Sequence, residues 1–211
     1  MIDLKEISTY MERGRSAKVK ELVVLALEEG ISPSTILEEA LLPCMAVIGE
    51  KFKNNEVFVP EVLVAARAMN AGVELLKPHL VQMGVKTKGV AVLGTVKGDL
   101  HDIGKNIVKI MLEGKGLEVV DLGVDVTAET FVDKAIEHGA NLICCSALLT
   151  TTMMEMKRVV EIATERGIRD KVKIMIGGAP ISQQFCDEIG ADCYTPDGAS
   201  ASDAALGFCD N

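Results

Sequence analysis

The segment Asp99-Leu100-His101-Asp102-Ile103-Gly104 sets a histidine two residues after one carboxylate and three residues before a glycine. One imidazole nitrogen of such a histidine can ligate a metal while the carboxylate holds the other. In front of it, Gly89-Val90-Ala91-Val92-Leu93-Gly94 is apolar and bounded by glycines, as a buried strand is. Behind it, Ile103, Ile107, Ile110 and Met111 fall at helical spacing, and Gly116 closes the run. The histidine is therefore predicted at a strand-to-helix junction. In an open α/β sheet that junction lies at the carboxyl end of the strand, where ligands bind.

Other residues that could carry chemistry are few. Gly94, Gly98 and Gly104 surround the histidine, and their missing side chains are expected to let a large group approach the backbone. A nucleotide-binding fingerprint does not fit, because the spacing is not Gly-x-Gly-x-x-Gly and no Gly-Lys-Ser or Gly-Lys-Thr follows. His79, near a helix end, reads as solvated, and His138, before Gly139, reads as a partner for a helix C-terminal dipole. The 6 cysteines form no Cys-x-x-Cys pair and read as buried thiols in a reducing compartment. Three further loops follow apolar runs: Ser146 to Thr152, Gly177-Gly178-Ala179-Pro180, and Thr195 to Ser200. Singly they are ordinary cap and turn chemistry. Together they outline a long slot along one sheet edge.

The elements that must position these residues change character near residues 83 to 88. Before that point the chain reads as four amphipathic helices, at residues 2–13, 16–29, 33–52 and 60–82, with Ser32 capping the third and Pro43 and Pro78 expected to kink or shorten two of them. After it, strands at 90–93, 118–122, 141–146, 173–176 and 193–194 alternate with helices at 103–113, 128–138, 153–166, 182–189 and 200–208. The expected architecture is α/β: a four-helix bundle over residues 1–87, then a doubly wound, five-stranded parallel sheet of the Rossmann or flavodoxin kind over 88–211. A charge of -9 over 211 residues, with no basic run, argues against nucleic acid as a partner. Aromatic residues are 3% of the chain, which argues against a stacking platform. With no apolar stretch long enough for a membrane helix and no leader-like N-terminus, a cytoplasmic protein is expected.

The ordered motifs Asp99/His101/Gly104, Ser146/Leu148 and Gly177/Gly178 resemble the cobalamin-binding module shared by methionine synthase, the cobalamin mutases and the corrinoid proteins of methyltransferase systems. The first half, from Gly49-Glu50-Lys51-Phe52 through Phe58-Val59-Pro60-Glu61, resembles the helical cap of the methyltransferase branch. The resemblance implies a cobalamin cofactor bound base-off and His-on, with His101 as the cobalt ligand through Nε2. Asp99 would hold Nδ1, and Thr152 would extend the relay at a position where the family usually has serine. Gly98, Asp102, Ile103, Gly104, Ser146, Leu148, Thr150, Gly177, Gly178, Gly198 and Ala199 would line the cofactor and its nucleotide tail. Phe58, Val62 and Met69 would face the methyl group, unless they are plain bundle core.

It also implies a methyl-carrier subunit rather than a self-sufficient enzyme. Co(I) would accept a methyl group from a donor-specific methyltransferase, and methyl-Co(III) would pass it to a second methyltransferase that uses tetrahydrofolate or coenzyme M. A reductive activase would be a further partner. The family's donors are methanol, methylamines, betaines and methoxylated aromatics. Two other readings stay open: a cobalamin-binding sensor or storage module without methyl transfer, and a receiver-like domain with Asp99 as phosphoacceptor.

Overall fold

The computed structural model describes residues 2–83 and 87–209. The chain divides into two compact units, Met1–Lys86 and Thr87–Asn211. Gly84, Val85 and Lys86, at the centre of the expected boundary, lie outside the described residues.

The first unit is helical throughout. It contains α1 (Leu4–Glu12), α2 (Ser16–Glu28), α3 (Pro33–Ile36), a π-helical turn (Leu37–Leu41), α4 (Leu42–Lys53) and α5 (Val59–Gln82). Ser32 caps α3 by accepting the Thr35 N–H at 3.1 Å. The Glu61 carboxylate accepts the Phe58 N–H at 2.7 Å where α5 begins, satisfying one of the donors a helix start leaves open. The single helix expected over 33–52 is interrupted by the π turn, in which Leu42 donates its N–H to the Leu37 carbonyl. Pro43 is the physical reason: it has no N–H, and its ring would collide with the carbonyl four residues back unless the preceding turn widens. Pro78 is carried inside α5 without ending it. Ile7, Met11, Val23, Leu41, Met45 and Leu76 form the core of this unit. Val62 and Met69 join them at 0% and 1% exposure, so they are bundle core, whereas Phe58 stands exposed at 64%.

The second unit is a five-stranded, all-parallel sheet in the order β2-β1-β3-β4-β5. The strands are β1 (Val90–Thr95), β2 (Glu118–Asp121), β3 (Leu142–Ser146), β4 (Lys173–Gly177) and β5 (Cys193–Tyr194). Alternation along each central strand feeds two cores. Val92, Ile143, Cys145, Ile174 and Ile176 face a layer that includes Phe131, Val132, Met156, Val159 and Phe185. These come from α7 (Ala128–His138), α8 (Met154–Glu165) and α9 (Gln183–Ile189). Ala91, Leu93, Leu142, Cys144 and Met175 face Leu112, Ala201 and Ala205 from α6 (Ile103–Gly114) and α10 (Gly198–Cys209). Strands covered on both faces read as unbroken apolar runs, which is why they were visible in the sequence. The strand order reverses between β1 and β3, so the loops leaving those two strands diverge and open a crevice at their carboxyl ends.

Gly94 corrects one expectation. It lies inside β1, and a Cβ there would come within 2.8 Å of the Phe131 ring; its missing side chain makes room for α7, not for a ligand. Gly104 differs, since nothing lies within 4 Å of a Cβ built on it. Gly94→Ala is therefore expected to lower unfolding stability by about 1–3 kcal/mol through overpacking. Gly104→Ala, in the first turn of α6, should be neutral within about 0.5 kcal/mol or slightly stabilising. Urea midpoints of the cofactor-free protein check both.

Candidate functional site

The loop between β1 and α6 is organised around one carboxylate. Asp99 is fully shielded from solvent and accepts five hydrogen bonds. Oδ1 takes the His101 backbone N–H at 3.1 Å and the His101 ring nitrogen Nδ1 at 2.7 Å. Oδ2 takes the backbone N–H groups of Leu148 and Leu149, at 2.7 and 3.1 Å, and the Thr152 hydroxyl at 3.1 Å. Burial alone would raise the carboxyl's pKa, but the hydrogen bonds from the Leu148 amide and the His101 amide and ring outweigh it and hold the group well below the usual carboxylate range. An ionised carboxylate can only accept, so Nδ1 is the protonated nitrogen facing it, and in the neutral ring the lone pair is on Nε2. The His101 side chain is 51% exposed, and its Nε2 has no hydrogen-bond partner among the described residues.

These contacts cross the place where the strand order reverses. Asp99 and His101 leave β1, while Leu148, Leu149 and Thr152 leave β3, and the two strands are paired with Thr95 beside Ser146. Thr95, fully buried, donates its hydroxyl to the His101 carbonyl at 2.8 Å. That residue was not singled out in the sequence, where a threonine ending a strand carries no signal beyond propensity. Leu100, Ile103, Leu148 and Leu149 are 71%, 72%, 44% and 40% exposed, so an open apolar rim surrounds a polar ring nitrogen.

From this rim a cavity of about 610 Å³ runs between the sheet edge and helices α6 and α10. His101, Asp102, Ile103, Gly104, Ser146, Leu148, Gly177, Gly178 and Gly198 line it. Gly98, Thr150 and Ala199 do not. Ala199 is buried inside the first turn of α10. That helix begins two residues earlier than expected, because Asp197 caps it by accepting the Ser200 N–H and hydroxyl at 2.8 and 2.9 Å. Gly178 has φ 131, and a side chain there would overlap the Ala147 carbonyl oxygen, so the β3 and β4 loops can lie against each other only with glycine at this position. The deepest wall was not foreseen: Leu93, Cys144, Met175 and Leu112, all under 5% exposed. Burial pushes the Cys144 thiol up to about 12, leaving it neutral. Lys105, 3% exposed on the cavity wall, is neutralised by Asp121 at 2.7 Å and also donates to Asn106 Oδ1 at 2.8 Å.

Among the described residues no three His, Cys, Asp or Glu side chains converge to hold a metal ion. A lone imidazole suits a metal that arrives with its other positions already filled by a macrocycle. Two family models, both described as B12 binding domain, match residues 89–206 and 4–77. Trimethylamine corrinoid protein 1 of Methanosarcina acetivorans is 45% identical over 201 residues, 94% of this chain and 90% of its own length. Dimethylamine corrinoid protein 1 of Methanosarcina mazei is 46% identical over 187 residues, 86% of each chain. A solved chain from the methanol:cobalamin methyltransferase complex of Methanosarcina barkeri matches with a TM-score of 0.88 at 33% identity, over 97% of this chain and 78% of that one. Fold and site thus define an α/β protein with a half-exposed imidazole on the wall of a long cavity beside the reversal point of a parallel sheet. The chain belongs to the B12-binding corrinoid proteins, as its three ordered motifs implied.

The Asp99 hub generates a stability prediction. Asp99→Ala leaves the Leu148 and Leu149 amides without their acceptor and is expected to lower the unfolding free energy by about 1–3 kcal/mol near neutral pH. Because the native carboxyl is depressed, its contribution is complete above the unfolded value of about 3.9 and fades as the pH falls towards the lower native one. The gap between wild type and variant in urea titrations should hold down to about pH 5 and narrow below about pH 4.

Proposed function

We propose that this chain is a corrinoid methyl carrier that serves a methyltransferase acting on a methylated amine. The observation that carries the reading is the Asp99-held His101, with Nε2 unpartnered at the mouth of an apolar cavity. The residues fit a cobalamin bound base-off and His-on: one imidazole donor, an open apolar rim for the corrin, room over Gly104, and a long cavity for a nucleotide tail. Cobalamin, when bound, supplies the cobalt that carries a methyl group from a donor to an acceptor.

His101 would ligate that cobalt through Nε2. Asp99 holds Nδ1, fixes the tautomer and raises the basicity of the ring. Thr152 holds the far oxygen of Asp99, as the serine of related relays does. Ser146, Leu148, Gly177, Gly178 and Gly198 would flank the tail. Since Asp99 is held ionised, a proton entering the relay resides on the imidazole, at Nε2, and occupies the lone pair that ligation needs. Ligation and proton uptake at His101 are therefore alternatives, which links release of the metal to protonation.

Relatives named for trimethylamine and dimethylamine, at 45% and 46% identity, support an amine donor. The matched chain of a methanol:cobalamin methyltransferase complex supports a donor-side methyltransferase as one partner. An acceptor methyltransferase and a reductive activase complete the set. Among the described residues no helix is long and apolar enough to cross a membrane, and a cytoplasmic location accords with the absence of disulfides among them.

Reconstitution with hydroxocobalamin tests the reading. Wild type should bind one cofactor with the visible spectrum of an imidazole-ligated cobalt, and His101→Ala should shift that spectrum to a water-ligated form. Asp99→Asn keeps its oxygen towards the three donors of the β3 loop and so presents its NH2 to the ring, which makes Nδ1 the acceptor and Nε2–H the favoured tautomer; affinity should fall about 10–100-fold. A wild-type chain that binds no cobalamin ends the proposal. One that binds it but takes no methyl group from any methylamine through a donor methyltransferase restricts it to storage or sensing.

A further inference from the structure

The segment Gly123-Val124-Asp125-Val126, between β2 and α7, makes contacts that the cofactor reading leaves unused. Asp125 is one of two non-glycine residues with positive φ among the described residues, at φ 55. Its Oδ1 accepts the Gly98 N–H at 2.7 Å, and its own N–H donates to the Asp99 carbonyl at 3.0 Å. On either side the backbone is stitched to the end of β1. Thr95 donates its N–H to Gly123 and Val126 donates to Thr95, each at 3.0 Å, while Val96 and Val126 pair in a parallel bridge. Asp99 is thus gripped twice, by its side chain from the β3 loop and by its backbone from Asp125. Gly98, at φ 81, is otherwise the one residue of this loop whose backbone can turn at low steric cost.

We propose that Asp125 is a positioning residue for His101. By fixing the Gly98 amide and the Asp99 carbonyl it sets where the Asp99 carboxylate stands, and through it the tautomer and heading of the imidazole. The inference rests on the reading of His101 as ligand. A left-handed backbone retained at a non-glycine residue is a feature that clusters at functional sites. Asp and Asn adopt it more readily than other side-chain-bearing residues. The bland alternative, a staple needed only for folding, predicts lost stability with no change in the ring.

The test compares Asp125→Gly, which keeps the backbone freedom and removes the acceptor, with Asp125→Asn, which keeps both. Ring 15N resonances of His101 are read in the cofactor-free protein, assigned by their loss in His101→Ala. Wild type and Asp125→Asn should show Nδ1–H with a bare Nε2. Asp125→Gly should show a mixture of tautomers and bind cobalamin about tenfold more weakly. Wild-type ring signals and affinity in Asp125→Gly, or equal perturbation in both variants, overturns the proposal. If Asp125→Gly does not fold, Asp125→Ala, which also lacks the acceptor, takes its place against Asp125→Asn with the same required difference. A wild-type chain that fails to bind cobalamin removes the carrier reading yet leaves the ring comparison valid. Tight cobalamin binding with unchanged rings removes only the role of Asp125.

Discussion

A single ionised carboxylate, shielded from solvent and saturated with donors, holds the two central loops of this protein together. Among the described residues Asp99 has neither a lysine nor an arginine as ion-pair partner; amide, hydroxyl and imidazole hydrogens stabilise its charge. Charge-assisted bonds of this kind are shorter and stronger than neutral ones. Removing their common acceptor would strand several donors at once. The histidine that faces the cavity therefore borrows its orientation from a network that reaches both strands beside the crevice.

The fold makes this network possible by its strand order. With β1 and β3 adjacent and their following helices on opposite faces, the two loops leave the sheet side by side and only then part. The crevice between them continues into the space under α6 and α10. There Gly198 lets α10 approach α6 so closely that a Cβ would meet Ile107 at 3.2 Å, and the small side chain of Ala201 is part of the cavity wall. Core packing on the other face, through Phe131 against Gly94, anchors β1 without touching the site.

Much of this was legible in the residues. Asp99, His101 and Gly104 announced themselves because a carboxylate, an imidazole and a glycine at that spacing have few structural reasons to follow a buried strand. The apolar runs marked β1, β3 and β4 for the same reason that these central strands pack on both faces, whereas the edge strands β2 and β5 are only partly buried. Gly94 was misread because a glycine records that space is needed without recording on which side. Gly198 and Ala199 were taken for loop because the capping role of Asp197 looks like any turn before the helix is seen. The deep wall of Leu93, Leu112, Cys144 and Met175 could not be told from ordinary core, since lining a cavity and filling one require the same residue types. Thr95 and Asp125 each turn a side chain onto a backbone group, the His101 carbonyl and the Gly98 N–H, and such long-range contacts leave no spacing pattern in the sequence.

The two oxygens of Asp99 divide their partners unequally, and this has a mechanical consequence. Oδ2 is satisfied entirely by the β3 loop, and Oδ1 keeps the His101 amide even if the ring lets go. The imidazole is therefore the member whose loss leaves both oxygens still hydrogen-bonded. Turning the ring away would remove one hydrogen bond and leave four on the carboxylate, as a latch lifted from a keeper leaves the keeper in place. The shape of the receptacle is thus set by backbone amides and one hydroxyl, independently of the ring's own torsions.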